Sequence, residues 1–195
     1  MPQQSSAAPQ GAIGVITATE RTALVNELEQ SRKRFLDAVR GLSEKQSLFS
    51  PEAGIWSIQN CAEHLAIFED AFRSMVREQL LRSPAAPPEK SAGAKQMDPM
   101  LGPGVRDRSQ RTKTAPFLEP TGKFADLGQT AAKFEESRKQ TIDYARNTND
   151  PLRVHFAPAP TGELDGYQWL LVIAAHTDRH TAQIEEIKKH AKYPK

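Results

Sequence analysis

The stretch GYQWLLVIAAHTDRHTAQIEEIKKH, residues 166–190, decides the fold. Trp169, Ile173, His176, His180, Ile184 and Ile187 follow one another at intervals of four, three, four, four and three. That period draws one stripe along a helix, and such a stripe faces a core. Asp165 and Gln168 stand at capping-box spacing ahead of it. The two central positions of the stripe are histidines.

Working outward, three more segments carry the same period. The first runs from about Thr19 to Arg40, with Thr17 and Glu20 at capping-box spacing, Leu24, Leu28, Phe35 and Val39 on one face, and Gly41 as a stop. The second opens after Trp56-Ser57, where Ser57 is an N-cap and Trp56 a staple residue. Ile58, Cys61, Leu65, Phe68, Phe72 and Met75 mark its face, and it ends near Arg82. The third opens at Asp126, shows Leu127, Ala131, Phe134 and Ile142, and closes at Asn149-Asp150-Pro151. Four amphipathic helices with no convincing strand pattern and no internal repeat predict an all-α chain, a four-helix bundle over residues 19–195.

Between Ser83 and Gly122 the helical pattern disappears. Seven prolines (Pro84, Pro87, Pro88, Pro99, Pro103, Pro116, Pro120) punctuate it, so it reads as a long, Pro-rich connection between helices two and three. It is long enough to cross the end of a bundle, or to act as a lid. Residues 1–18, rich in Ala, Ser, Gln and Pro, read as a disordered tail and not as a signal peptide.

The bulk properties narrow the function classes. The chain has 195 residues, 38% apolar and 26% charged, with a net charge of +2. It carries no electrostatic commitment to nucleic acid or to a membrane, and no run approaches the ~20 apolar residues of a span. A single cysteine, Cys61, excludes an internal disulfide and a multi-Cys zinc site, and fits a cytoplasmic protein. On an apolar face it reads as a small core residue, with a metal ligand or nucleophile as the alternative. The basic run RDRSQRTK, 106–113, lacks the interleaved aromatics of a nucleic-acid site and reads as a solvated loop. Arg138, which interrupts the stripe of helix three, reads as a stem covering apolar surface with its head in solvent.

Residues i and i+4 of a helix share a face, so His176 and His180 can reach one ion. A buried imidazole without partners is costly, and an ion shared by two satisfies both. His64, on the apolar side of helix two, offers a third ligand from a facing helix. Asn60 and Gln183 stand where they could hydrogen-bond a ligand ring or a substrate. His155 and His190 read as surface residues, His155 with a possible approach as fourth ligand. HTDRH differs from the zinc-protease motif, because Thr177 stands where that motif has its general base. Such a histidine pair is also compatible with a hydrogen-bonded cluster that only ties helices together.

WSIQNCAEHL (56–65) and HTDRHTAQIEEI (176–187), with FLEPTGKFADL (117–127) and LDGYQWLLVIAAH (164–176), resemble the DinB-like superfamily from about residue 20 onward. The resemblance implies a four-helix bundle and a divalent metal, zinc or nickel, held by His64, His176 and His180. It further implies a metal-dependent hydrolase, or a transferase using a low-molecular-weight thiol. The partner expected is a small-molecule substrate, with no nucleic acid and no membrane. The competing class is a non-catalytic bundle with a structural metal or histidine cluster, or a self-associating module, a homodimer.

Overall fold

A computed structural model describes residues 13–109, 113–160 and 162–195. Its bundle consists of α1 (Ala18–Val39), α3 (Ile58–Ser74), α5 (Leu127–Asn147) and α6 (Gly166–Lys188). A one-turn helix α2 (Glu44–Ser47) lies in the first connection and α4 (Pro88–Arg106) in the second. A two-stranded antiparallel hairpin, β1 (Phe156–Ala159) and β2 (Gly162–Asp165), fills the third, with Phe156 opposite Asp165. Among the described residues, no helix is long and apolar enough to cross a membrane.

The expected caps form. Thr17 and Glu20 make a reciprocal capping box on α1, as do Asp165 and Gln168 on α6. Each satisfies backbone donors that the first helical turn leaves open. Gly41, just past α1, takes a φ of 72°, a left-handed conformation that favours glycine. After Ser74, α3 loosens into a π-helical turn, Met75–Gln79, and a 3-10 turn, Leu80–Arg82, so the helical path ends where the sequence places it.

Helices α1 and α3 each pack against α5 and α6, so the α1/α3 pair and the α5/α6 pair lie across the diagonals, while the successive helices α3 and α5 are neighbours. The first and third connections must therefore cross the end of the bundle, and both carry structure of their own, α2 and the hairpin.

The core is layered. One apolar cluster holds Leu24, Leu28, Val76, Ile142, Leu170 and Ile173, and a second holds Phe35, Ile58, Cys61, Leu65, Phe134 and Ile184. Between them a residue from each bundle helix joins one buried polar network: Ser31, Glu69, Arg138 and Thr177. Arg138 is fully buried and binds all the others. It forms a bidentate pair with Glu69 (2.9 and 2.7 Å) and donates to Ser31 Oγ, the Leu28 carbonyl and Thr177 Oγ1. The solvated head expected for Arg138 is thus corrected. Five buried acceptors meet the guanidinium, and only that degree of pairing makes so deep a charge tolerable.

The Pro-rich connection is also corrected in part, because residues 88–106 are helical. Pro88 sits at the start, where its missing N–H costs nothing. Pro99 and Pro103 lie inside, each a change costing about 3 kcal/mol in an isolated helix. Tertiary anchors hold α4 together. Gln168 Nε2 donates to the Ala94 carbonyl (2.8 Å) and to Asp98, Arg106 pairs with Asp178 at 2.9 Å, and Leu101 and Val105 pack on the core. The hairpin likewise escaped the pattern of alternation, being four residues a side with Pro158 in one strand.

The expected tail, residues 1–18, lies outside the described residues as far as residue 12. From Gly14 the chain is packed: the Gly14 carbonyl accepts the Arg153 amide at 2.9 Å, and Ile16 is buried.

Candidate metal centre

His64 lies two turns into α3, and His176 and His180 lie midway along α6. The structure brings the three together at the α3–α6 interface. His176 Nε2 stands 3.3 Å from His64 Nε2 and 3.2 Å from His180 Nε2. One nitrogen from each ring fits within a single group spanning at most 4.8 Å. Nitrogens sharing one ion at about 2.1 Å stand roughly 3.0–3.4 Å apart, so the spacing suits a common divalent ion.

The hydrogen bonds fix which nitrogens can bind. His64 Nδ1 donates to the Leu118 carbonyl at 2.8 Å, and that oxygen can only accept. His180 Nδ1 donates to Gln183 Oε1 at 3.0 Å. Both rings therefore present a bare Nε2 lone pair to His176. A single His176 Nε2–H could satisfy only one of them, and His176 Nδ1 is buried without a hydrogen-bond partner. Converging lone pairs of this kind are what a cation resolves, and the residues fit one. Burial, reinforced by the neighbouring rings, holds His176 well below its ordinary pKa and brings His180 down to about 3. Burial also lowers His64. All three rings are neutral at pH 7, the form that binds metal.

Aromatic rings shape the surroundings. Trp56 packs over His64 and His180, at centroid distances of 4.9 and 5.8 Å. Phe68 stacks on His176 at 3.7 Å and 14°, and so orients the one ring that lacks an Nδ1 partner. Beside His64, the Glu63 carboxylate is buried and accepts the backbone N–H groups of Thr121, Gly122 and Lys123 at 2.9, 3.1 and 2.9 Å. The loop so held includes the Leu118 turn that fixes His64.

Gln183 reaches the His180 ring. Asn60 does not. Its Oδ1 accepts the Ser57 amide and hydroxyl, completing the α3 capping box, because the helix start draws a short polar side chain to its own backbone. His155 donates to the Ser83 carbonyl and stands outside the histidine group, and His190 packs near Phe49. Cys61 is a fully buried core residue. In the basic run, Arg106 pairs with Asp178 and Arg108 with Glu186, while residues 110–112 lie outside the described residues. The sequence pattern gave no role to Glu63 and gave Trp56 only that of a staple, not its packing on His64 and His180. Their signal was adjacency: each lies within one residue of a histidine or a cap already singled out.

A diagonal four-helix bundle with three imidazoles between two of its helices defines a histidine-centred bundle protein. Residues 27–184 match the DinB superfamily, and the chain belongs to it. It is 25% identical over 161 residues to the uncharacterized protein YuaE of Bacillus subtilis (strain 168), covering 82% of this chain and 94% of that one. Its fold is similar to that of YfiT from Bacillus subtilis, with a TM-score of 0.57, 16% identity, and coverage of 100% of this chain and 94% of that one. YfiT is described as a probable metal-dependent hydrolase with an unusual four-helix bundle topology.

Proposed function

We propose that the protein is a divalent-metal-dependent enzyme acting on a small molecule, as a hydrolase or a transferase that uses a low-molecular-weight thiol. The observation that carries this reading is the convergence of His64, His176 and His180 Nε2, two of them aimed by hydrogen bonds from outside the group. Three neutral imidazoles would hold zinc or nickel with its charge uncompensated and coordination positions open. An ion so held supplies Lewis acidity, lowering the pKa of a water or thiol so that it serves as a nucleophile near pH 7. Leu118 and Gln183 orient two ligand rings, Phe68 orients the third, and Trp56 limits water on the His64–His180 side. YfiT's description as a probable metal-dependent hydrolase supports the same reading.

The second reading is a structural ion tying α3 to α6. It draws on one observation: among the described residues, the group consists of histidines alone, with no carboxylate placed as general base.

Elemental analysis of untagged protein, followed by assays with ester, amide and thiol–electrophile pairs before and after chelation, separates the two. The enzyme reading expects one equivalent of metal, and an activity lost on chelation and in His180→Ala. Metal-independent activity overturns it. Loss of thermal stability on chelation, with no activity in any assay, favours the structural ion.

A further inference from the structure

Two partners hold Nδ1 protons in the histidine group, and they differ in kind. The Leu118 carbonyl can only accept, so it leaves His64 one tautomer. Gln183 is an amide, with an acceptor oxygen at one end and a donor NH₂ at the other. Turned over, it would donate to His180 Nδ1. The ring proton would then sit on Nε2, which would have no lone pair for an ion. The facing end of Gln183 therefore decides whether His180 can be a ligand.

Arg108 stands where it sets that choice. Arg179, Gln183 and Glu186 follow at intervals of four and three, so they share a face of α6. The Arg108 guanidinium, from the connection after α4, lies along this face. Its Nε and Nη2 take the two oxygens of Glu186 at 2.9 and 2.7 Å. That fork fixes the plane of the guanidinium. Its Nη1 is left directed at Gln183 Oε1 (3.4 Å) and the Arg179 carbonyl (3.5 Å). Both contacts are long, but a guanidinium has only donors and a full positive charge. An amide NH₂ in that place would set donor against donor beside a cation, so the oxygen is favoured. Gln183 Oε1 thus lies between Arg108 and His180 Nδ1, at 3.0 Å from the ring nitrogen.

We infer that Arg108, held by Glu186, is a positioning residue. It keeps the oxygen of the Gln183 amide toward His180, and so keeps the His180 proton on Nδ1 and Nε2 bare. The purpose of this arrangement rests on the metal reading, whereas the tautomer is tested without metal.

The test follows the His180 ring in isotope-labelled, metal-free, full-length protein. Two-bond proton–nitrogen correlations near pH 7 distinguish Nδ1–H from Nε2–H, and the ring is assigned by its loss in His180→Gln. Zinc affinity is measured on the same variants by competition with a chromophoric chelator. The parent protein should show Nδ1–H. Arg108 is partly exposed, so its replacement should leave the rest of the spectrum native. Arg108→Met keeps the stem and loses the donors. It should bring in an Nε2–H population and weaken zinc about tenfold. A guanidinium acting by charge alone would do the opposite, since removing a cation beside a cation site tightens binding. Arg108→Lys is again donor-only and should restore Nδ1–H. In a Gln183→Leu background, Arg108→Met should no longer weaken zinc, because the amide it acts through is gone.

An unchanged tautomer in Arg108→Met, or equal weakening of zinc with and without Gln183, overturns the inference. A tautomer that depends on Arg108 in a protein that binds no zinc keeps the inference and removes the metal reading. Zinc bound equally well by the parent and by Arg108→Met keeps the metal reading and removes the inference.

Discussion

His64 donates its Nδ1–H to the Leu118 carbonyl at 2.8 Å, and its neighbour Glu63 holds the same loop by three backbone amides. Two adjacent residues of α3 thus play complementary parts: one presents a ring nitrogen to the histidine group, the other fixes the acceptor that aims that ring.

Glu63→Gln replaces one carboxylate oxygen with an amide nitrogen, which cannot accept. About 1–3 kcal/mol of stability should go with it, and zinc affinity should fall about tenfold, as for other residues that orient ligands. Competition with a chromophoric chelator and thermal unfolding of metal-free protein read the two effects separately. Zinc affinity unchanged in Glu63→Gln would detach Glu63 from the centre.

The Arg138–Glu69 pair lies at the midplane with both side chains sealed from water. Arg138→Met leaves the Glu69 charge alone there and should cost about 3–5 kcal/mol in urea unfolding. Arg138→Met with Glu69→Met removes both charges and should recover most of that loss. A double variant no more stable than the single one would show that the pair earns its place by more than mutual neutralisation.

Burial pushes the Cys61 thiol up to about 12. At pH 8 almost no thiolate forms, so iodoacetamide should leave the native protein unmodified and label it fully in denaturant. Mass spectrometry decides, and rapid native labelling would reopen a chemical role for Cys61.

Glu20 responds to pH in a definite direction. Burial raises its pKa, but hydrogen bonds from the Thr17 amide and Arg153, with the Arg153 charge, outweigh burial and leave it below its ordinary 4.5. The folded chain therefore holds this proton less tightly than the unfolded chain. The stability Glu20 contributes is present above pH 4.5 and is lost as pH falls through its folded value. Glu20→Gln keeps the capping acceptor and removes the charge, so its stability should fall less steeply below about pH 4.5. Denaturant melts at a series of acid pH values check the slope, and identical slopes would refute the assignment.

The four bundle helices and the three histidines were legible because each rests on a local period. The stripe through Trp169, His176 and Ile187 needs only helix geometry to be seen. What escaped depends on contacts distant in sequence. Helix α4 holds two internal prolines and is stabilised by Gln168, Asp178 and the core, none of them its neighbours in the chain. Arg138 looked like a surface residue because its acceptors come from three other helices. Asn60 was assigned outward, to a ligand ring, when the nearer helix start had the stronger claim on it. The hairpin was too short for alternation to show.

The diagonal arrangement also dictates an order of events in folding. Neither α1 with α3 nor α5 with α6 can form an early hairpin, because each pair is diagonal; only α3 and α5 are both successive and adjacent. His64 and His176 are 112 positions apart, and the chain must place α5 and then cross the bundle before they meet. Closing such long loops is slow. A nascent chain ending before α6 has only one of the three imidazoles in place, so an ion shared by the three would enter as the last partner of a nearly finished protein and would not serve as its nucleus.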